Sequence, residues 1–451
     1  MPDRLDRAPW RAIHRRIAVA LGIGWALDAF EVQIIGSVIP AIAATFALPR
    51  GEQIAVFVIW FLGLGLGAIV FGYLADRVGR RRLFVATLLL YSCSALATAA
   101  SPSYGFFMVF RFLTGLGVGG EYSAVCSAIS EFMPARARGR TNALVMNFWS
   151  LGGIAAGLVG IVFVSTVLGN GGWRVALLFG VIAALYGLYA RRLVPESPRW
   201  LASQGRLREA NAVIEQVSGI RRDRAEYLPR ELRTSLSAQL AELWQHHRGR
   251  LLFGMALDFS EASGYYGLFT FISVFVLTKS VVNVPAGTVP YYYLVANFGA
   301  LAGGVAVSWA LDRVGRRPTV FFGYSAASLS SLLVAAAALS GSPGWTLAAF
   351  TVAVLFATTA WVSAYPTFTE LFPTHLRATG VGASVAVGRL GAILGAVVLA
   401  QAASSFGLWS AFVTLAGLWA IGALAAGIWW LRGFEARGMT LEAIASRLAQ
   451  S

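Results

Sequence analysis

The sequence predicts an all-α polytopic membrane protein with twelve transmembrane helices arranged as two six-helix parallel repeats. The first observation is composition: of the 451 residues, 57% are hydrophobic and 13% are charged, with a mean hydropathy of +0.67. A soluble domain cannot bury that much apolar surface in one core. The second observation is a series of twelve apolar runs, each long enough as a helix to cross about 30 Å of hydrocarbon. The third is that the two halves of the chain repeat each other.

The twelve apolar runs are similar in length, and most are separated by short polar segments. They lie at roughly 17–46, 52–74, 82–101, 104–132, 142–168, 173–191, 251–278, 288–311, 318–340, 344–371, 378–402 and 407–431. The first run is too long for a cleaved signal peptide and carries two acids, so it is expected to remain as a span. We therefore expect an N-terminal six-helix half at 1–191, a cytoplasmic linker with short helices at 192–250, and a C-terminal six-helix half at 251–451. In the linker, Ser197 followed by Pro198 is typical of a helix start.

The basic residues indicate the orientation. If both termini are cytoplasmic, 31 of the 36 Lys and Arg residues fall in cytoplasmic segments, whereas only Arg50, Arg174 and Lys279 fall on the other side. Arg111 and Arg389 lie within spans. This bias is strong positive-inside evidence. It also explains the net charge of +15 as charge that faces anionic lipid head groups, not nucleic acid. The expected location is the cell membrane, as a multi-pass protein of a bacterial inner membrane.

Three matched segments relate the two halves. ALDAFE at 26–31 returns as ALDFSE at 256–261, DRVGRR at 76–81 returns unchanged at 312–317, and EFMPARAR at 131–138 returns as ELFPTHLR at 370–377. The offsets of 230, 236 and 239 residues are nearly constant. Because each copy holds six spans, with basic loops at equivalent places, the repeats are expected to be parallel and related by an axis along the membrane normal.

Several of these motifs resemble those of the major facilitator superfamily of transporters. GYLADRVGRRR at 72–82 resembles its signature loop between the second and third helices, and RFLTGLGVGGE at 111–121 resembles its fourth-helix pattern. PESPRWL at 195–201 and the two Glu-x6-Arg motifs resemble the sugar-porter branch. TELFPTHLRATGVG at 369–382 and YYG at 265–267 look more like the organic-ion and metabolite:proton symporter branches. The glutamine-rich seventh-helix pattern of sugar porters is missing, which disfavours a hexose substrate. The resemblance implies alternating access, with the first and seventh helices lining a central cavity.

Two pairs of acids lie inside apolar spans: Asp28 with Glu31, and Asp258 with Glu261. An ionised side chain at the middle of the bilayer costs on the order of 2.5–3.5 kcal/mol on insertion scales. Residues three apart lie on one face of a helix, so each pair points one way. We expect both faces to turn toward a central, water-accessible cavity. The alternative is that the acids pair with arginine and fasten helices.

Arg111 on the fourth span is the expected partner of Glu31. Burial favours the neutral form of a carboxyl group and a nearby arginine favours its ionised form, so a pair that changes with conformation can bind and release a proton. The resemblance to sugar porters, which place an acidic first-helix residue against this arginine, favours Glu31 over Asp28. We expect Asp28 to assist, and Glu121 is a further candidate for proton coupling. All four histidines lie outside the predicted spans, so a proton path within the membrane would use carboxylates.

Arg389 is a cation within the eleventh span, surrounded by small residues. A guanidinium facing the cavity is a ready bidentate partner for a carboxylate substrate. The alternative is a structural pair with Asp258 or Glu261. The residues expected at the substrate site are Arg389, Asp258, Glu261, Tyr265, Tyr266, Trp361 and Tyr122. Further aromatic residues that could wall a cavity, or simply pack, are Trp25, Phe30, Phe148 and Trp149.

The repeated charges at the cytoplasmic helix ends are expected to form an inner gate. Opposite charges clustered at the membrane edge can form networks that close the gate. Charges that only set the topology would be Arg, which leaves the repeated Asp and Glu unexplained. The expected gate residues are Asp76, Arg77, Gly79, Arg80, Glu131 and Arg138 in the first half, and Asp312, Arg313, Arg316, Glu370 and Arg377 in the second. Gly79 and Gly315 are expected to let the short loops turn tightly.

These observations favour a secondary transporter, namely a proton symporter of a small organic anion, with an aromatic monocarboxylate as one candidate. The alternative within the carriers is a proton-coupled or facilitated carrier of an organic cation, sugar or polyol. A non-transporting sensor on a carrier scaffold is disfavoured by the short termini. No nucleophile–base set, metal cluster or phosphate loop indicates an enzyme, since GLGVGG at 115–120 lies within a span, where glycine serves close helix packing. The expected partners are protons, a small-molecule substrate and the lipid bilayer, with a monomeric chain and no cofactor.

Overall fold

The computed structural model describes residues 5, 8–78, 80–182, 185–186, 189, 193–219, 235–278, 281–370, 372 and 376–433; for some helical residues within these ranges only the backbone is described. No β-strand occurs in these ranges, and the predicted all-α class is confirmed.

Five long helices and the start of a sixth make up the first half. They are α1 Ala12–Phe46, α2 Arg50–Val78, α3 Arg80–Ala99, α4 Tyr104–Phe132, α5 Ala135–Gly160 and α6 Trp173–Leu178. A π-helical segment, Ile161–Val167, continues α5, and a 3₁₀ turn, Gly169–Gly172, leads into α6. These helices coincide with the predicted spans to within a few residues, apart from the cytoplasmic start of α5 and the short α6, because long apolar runs leave little choice of secondary structure in a membrane.

Three short helices of the linker are α7 Pro198–Ser203, α8 Leu207–Ser218 and α9 Leu236–His246. Ser197 caps α7 by accepting a hydrogen bond from the Trp200 amide, with Pro198 in the first turn, so the predicted helix start is confirmed. The last of these helices packs against the second half, where Thr379 donates a hydrogen bond to Gln239 of α9.

The second half has six long helices. They are α10 Arg248–Phe271, α11 Val289–Arg313, α12 Arg316–Leu339, α13 Pro343–Glu370, α14 Arg377–Phe406 and α15 Leu408–Arg432. A π-helical segment, Ile272–Val276, continues α10. In the part of the chain that the structure describes, eight helices are both long and apolar enough to cross a membrane; α10 is not among them. Its four charged residues Arg248, Arg250, Asp258 and Glu261 lower its apolar character.

Glycines allow neighbouring helices within each half to pack backbone against backbone. A Cβ at Gly63 or Gly67 of α2 would overlap the carbonyl oxygen of Phe112 or Leu116 of α4. The same arrangement returns 236 residues later, where Gly299 and Gly303 of α11 lie against the Thr351 and Leu355 carbonyls of α13. Glycines 115 and 119 of α4 meet α2 in the same way, so the role predicted for this glycine run is confirmed.

The two halves meet chiefly along two helix pairs, α5 with α11 and α2 with α14. On the first pair the contacts are reciprocal: the Asn147 side chain of α5 lies against Gly304, and the Asn297 side chain of α11 lies against Gly153. The Asn297 amide also donates a 2.8 Å hydrogen bond to Gln33 Oε1 of α1. Polar side chains therefore bridge the halves at positions where glycine leaves room for them.

Further contacts between the halves lie at the end that is expected to face outside. The Ser165 hydroxyl donates to the Gly287 carbonyl, and the Arg50 guanidinium lies 5.5 Å from the centre of the Phe275 ring. The Tyr293 hydroxyl lies so close to Gly36 of α1 that a Cβ there would overlap it. At this end the described residues of the two halves are in direct contact.

Candidate functional site

A buried ion pair joins α1 to α4. Arg111 Nη1 lies 2.9 Å from Glu31 Oε1, and both side chains are 2% exposed. The Arg111 guanidinium also lies 5.3 Å from the centre of the Trp60 ring. Removing one partner of such a pair leaves an uncompensated charge in a dry interior, so the pair is stable only while both groups keep their charge. The structure thus brings together the two residues that the sequence predicts as a proton-sensitive pair.

Two small cavities lie between the halves, one above the other along the bundle. The cavity nearer the predicted outer end has a volume of ≈ 20 Å³ and is lined by Val32, Gln33, Gly36, Phe57, Trp60, Phe61, Arg111, Tyr265, Tyr266, Phe269, Thr270 and Tyr293. The cavity nearer the cytoplasmic end has a volume of ≈ 10 Å³ and is lined by Trp25, Trp149, Glu261, Tyr265, Tyr266, Trp361 and Arg389. We call them the outer cavity and the inner cavity. Each has room for about one water molecule.

Tyr265 and Tyr266 of α10 line both cavities and separate them. The Trp149 indole N–H of α5 donates a 3.0 Å hydrogen bond to the Tyr265 hydroxyl. The Tyr266 ring lies 4.8 Å from the Phe61 ring of α2, centre to centre. Each tyrosine therefore contacts the opposite half, and together they form a partition across the central path.

Arg389 and Glu261 face the inner cavity together. Arg389 Nη1 lies 3.5 Å from the Tyr266 hydroxyl, at the limit of a hydrogen bond, and its guanidinium lies 5.9 Å from the centre of that ring. Asp258 and Glu261 both lie within electrostatic range of Arg389. The two arrangements left open by the sequence, a cation at a cavity and a cation near the acids, therefore occur together.

The other predicted acids lie behind the cavity walls. Asp258 is 1% exposed and packs against α14, where a Cβ at Gly388 would overlap its Oδ2. Asp28 is also 1% exposed, and neither it nor Glu31 is among the residues that line the outer or the inner cavity. Of the four acids that were expected to face a central cavity, Glu261 lines the inner cavity, whereas the other three line neither of these two cavities. The reason is packing: the neighbouring helices come close enough to enclose the other three.

Aromatic rings frame the inner cavity. Trp149 lies 5.3 Å from Trp25 and 6.2 Å from Trp361, centre to centre, and Trp361 lies 6.0 Å from Tyr365. Of the predicted aromatic wall, Trp25, Trp149, Tyr265, Tyr266 and Trp361 line a cavity. Phe148 packs instead against Gly22 of α1, and Phe30 is buried outside both linings. The framed space is lined mainly by aromatic rings, with one guanidinium and one carboxyl group in its wall.

Most of the predicted gate lies outside the described part of the structure. This applies to Gly79 and to the side chains of Asp76, Arg77, Arg80, Glu131, Arg138, Asp312, Glu370 and Arg377, as it does to those of Glu121 and Tyr122. Two gate residues are described: the Arg313 guanidinium lies 4.6 Å from the centre of the Trp309 ring, and Arg316 begins α12. Gly315 has φ +107°, so the predicted tight turn between these helices is confirmed.

Sequence reasoning missed the polar contacts between the halves. Gln33 and Asn297 are buried amides within spans, and their hydrogen bond joins α1 to α11. Uncharged polar side chains within an apolar run usually bond to another helix, so their presence was a usable signal. The pairing itself could not be read, because it depends on how one half faces the other. Among the described residues, no group of three His, Cys, Asp or Glu side chains could hold a metal ion.

The helical architecture, with two repeats around buried charges, defines a multi-pass membrane transporter of the major facilitator superfamily. The solved structure of the proton:xylose symporter XylE bound to 6-bromo-6-deoxy-D-glucose is similar, with a TM-score of 0.77 and 18% identity over 97% of this chain and 99% of that one. That likeness confirms the predicted twelve-helix fold. Residues 23–448 match the "Sugar (and other) transporter" family, and the chain belongs to that family.

Two bacterial relatives are similar over most of their length. The niacin transporter NiaP of Acinetobacter baylyi is 30% identical over 411 residues, which cover 88% of this chain and 89% of that protein. The putative niacin/nicotinamide transporter NiaP of Bacillus subtilis is 29% identical over 404 residues, which cover 86% of this chain and 89% of that protein. The protein is therefore a carrier and not an enzyme, as the sequence predicts.

Proposed function

We propose that this protein is a secondary active transporter that carries a small aromatic monocarboxylate together with protons, by alternating access. The observation that carries the proposal is the position of Arg389, a buried guanidinium in the wall of a cavity framed by aromatic rings.

Arg389 supports an anionic substrate. A guanidinium binds a carboxylate through two parallel hydrogen bonds, a geometry that an ammonium group cannot offer. Charge-assisted hydrogen bonds of this kind contribute about 1.5–3 kcal/mol. The walls formed by Trp149, Trp361 and the tyrosine pair suit a planar ring. Niacin, the substrate named for two relatives, is an aromatic ring with one carboxyl group.

The Glu31–Arg111 pair supports proton coupling. Its 2.9 Å contact is stable while Glu31 is ionised, and a proton on Glu31 removes the attraction that holds Arg111 in place. A change in protonation therefore changes the contact between α1 and α4 beside the outer cavity. Asp28, one turn earlier on α1, assists in this proposal, and Glu121 is retained as a further proton site.

The topology proposed here follows from the basic residues. Both termini and the linker at 192–250 are cytoplasmic, the membrane is a bacterial inner membrane, and the chain works as a monomer with halves at 1–191 and 251–451. The repeated charges at the cytoplasmic helix ends form the inner gate. The supporting fact is that 31 of the 36 basic residues fall on one side in this orientation.

A second candidate is a carrier of organic cations. The observation that favours it is the charge around Arg389, which lies within electrostatic range of two acids, Glu261 at the inner cavity and Asp258 behind its wall. An amine could bind between these acids in place of Arg389. This candidate and the first differ in the sign of the substrate charge, which a transport assay resolves directly.

The test is counterflow into proteoliposomes loaded with unlabelled substrate, with labelled nicotinate, benzoate, nicotinamide, choline and xylose outside. Nicotinate and benzoate are expected to exchange, whereas nicotinamide, which has the same ring but no carboxylate, is not. Protein-free liposomes are the control. Exchange of choline alone would establish the cation carrier and make Asp258 and Glu261 its substrate contacts. Exchange of xylose alone would contradict both.

A further inference from the structure

The charges around Arg389 do not balance. With Asp258, Glu261 and Arg389 all ionised, the group carries a net charge of −1, and all three side chains are buried. A third carboxylate, entering with the substrate, would make the net charge −2 in an interior of low dielectric constant. Like charges brought this close together in such an interior favour protonation of one of them.

The geometry distinguishes the two acids. Glu261 lines the inner cavity with Arg389, so its carboxyl group faces the space between the two halves. Asp258 is enclosed against Gly388, and neither of its carboxylate oxygens accepts a hydrogen bond of ordinary geometry from the described residues. A proton or a substrate that arrives through the cavity therefore meets Glu261 first.

Among the described residues, the other titratable groups that face this cluster are tyrosines. On α10, Tyr265 accepts the Trp149 bond and Tyr266 lies beside Arg389. Tyr365 of α13 lies near Asp258, and the Tyr324 hydroxyl of α12 donates to the Leu257 carbonyl. The lining residues from α1 and α5 are Trp25 and Trp149, which do not titrate. Phenols keep their protons in the working pH range, so the carboxyl groups are the proton acceptors among the described residues here.

We propose that the substrate carboxylate replaces Glu261 as the counter-charge of Arg389 at the inner cavity and that Glu261 binds a proton in the same step. Glu261 is then a second proton site, distinct from Glu31, and it couples protons to substrate binding, whereas the Glu31–Arg111 pair couples them to the change of conformation. The Glu261 carboxylate gains an O–H bond with a proton released by the buffer in bulk solvent, which keeps the conjugate base, so the net charge of the group stays at −1. Arg389 has a carboxylate neighbour in both the empty and the loaded carrier.

This inference rests on the proposed function, because it needs an anionic substrate. The test is calorimetric titration of the purified full-length protein with benzoate, in buffers of different ionisation enthalpy, between pH 6 and pH 8. Benzoate is fully ionised throughout, so any proton uptake belongs to the protein. The wild-type protein should take up about one proton for each benzoate that binds. Over the pH range in which Glu261 is ionised in the empty carrier, the Kd for benzoate should rise about tenfold per pH unit.

Two matched variants assign the proton. Glu261→Gln should bind benzoate with no proton uptake and a nearly flat pH profile, because the amide is neutral at every pH. Glu31→Gln should keep the uptake, because its partner is Arg111. The opposite pattern, with uptake lost in Glu31→Gln and kept in Glu261→Gln, would overturn the proposal.

The wild-type protein alone also shows whether a carboxyl group is protonated when substrate binds. Infrared difference spectra should show the C=O stretch of a protonated carboxyl group when benzoate is added. If benzoate binds without that band and without proton uptake, Glu261 is not a proton site, although an anion carrier remains. If neither benzoate nor nicotinate binds, the proposed function fails, and this inference fails with it.

Discussion

The indole N–H of Trp149 lies 3.0 Å from the Tyr265 hydroxyl and joins α5 of one half to α10 of the other. A hydrogen bond of this kind contributes about 0.5–1.5 kcal/mol. Trp149→Phe keeps a ring but loses the donor. We therefore expect the closed conformation, in which the two halves are in contact at the predicted outer end, to be populated less by about two- to tenfold. A maleimide that cannot cross membranes should label a cysteine at Thr270, in the outer cavity, faster by that factor.

The matched control is Trp419→Phe. Trp419 is buried within the second half, and its indole nitrogen makes no hydrogen bond with the described residues. The Trp419→Phe substitution makes the same change in side-chain size without affecting a contact between the halves. Equal labelling rates in the two variants would show that the Trp149 bond does not hold the closed state.

Glu31→Gln should separate accumulation from exchange. The amide resembles the protonated acid, so Arg111 loses its ionic partner at every pH and the change of conformation is no longer coupled to a proton, although Glu261 can still bind one with the substrate. We expect proton-driven accumulation in proteoliposomes to disappear, while counterflow of labelled substrate continues. Accumulation at the wild-type level would remove Glu31 from the coupling mechanism.

Substrate affinity should depend on both the charge and the shape of the Arg389 side chain. Arg389→Lys keeps the charge but loses the planar fork, so the half-saturation concentration for a carboxylate should rise at least tenfold, the equivalent of about 1.4 kcal/mol. Arg389→Gln should lose binding while the protein still inserts into the membrane. Size-exclusion profiles of both variants are the control for folding. Binding at wild-type affinity in the Gln variant would show that Arg389 does not contact the substrate.

Alanine substitution of the repeated glycines should lower thermal stability equally in the two halves. Gly67→Ala and Gly303→Ala each place a methyl group on a carbonyl oxygen of the neighbouring helix, and overpacking of this kind costs about 1–3 kcal/mol. Both variants should melt several degrees below wild type in detergent. The control is Gly417→Ala of α15, where the added methyl group has open space around it. Its melting temperature should not fall, since alanine is a better helix former than glycine. A shift in Gly417→Ala as large as theirs would contradict the packing account.

The inner gate can be tested through its two repeated aspartates. Asp76→Asn and Asp312→Asn each remove an acid from the proposed inner gate, and the outward-facing state should be weakened as a result. Cysteines placed along the cytoplasmic end of the central path should then be labelled faster from the inside. Unchanged labelling in both variants would leave these charges with a topogenic role alone.

The sequence was sufficient to predict the helices and their repeat. Apolar runs of membrane length admit only helices, and DRVGRR at 76–81 and 312–317 defined the offset that the glycine contacts of α2 and α11 obey. The pairing of Glu31 with Arg111 could also be predicted, since each is a charge that must find a partner within the membrane.

Which acid faces the cavity could not be predicted. Asp258 and Glu261 lie on one helix face, and a modest rotation of α10 decides which of them is enclosed. That rotation is fixed by the absence of a side chain at Gly388 on another helix, 130 residues away. The partition formed by Tyr265 and Tyr266 is likewise a property of two halves brought together, and neither half alone determines it.

The partition has a consequence for the membrane in which the carrier sits. Cavities of ≈ 20 and ≈ 10 Å³ hold about one water each, and the tyrosine pair divides them. A continuous file of water, the medium through which protons and small solutes leak, is interrupted at this level. Under the proposed proton coupling, many empty copies in this conformation would leave the proton gradient across the membrane intact.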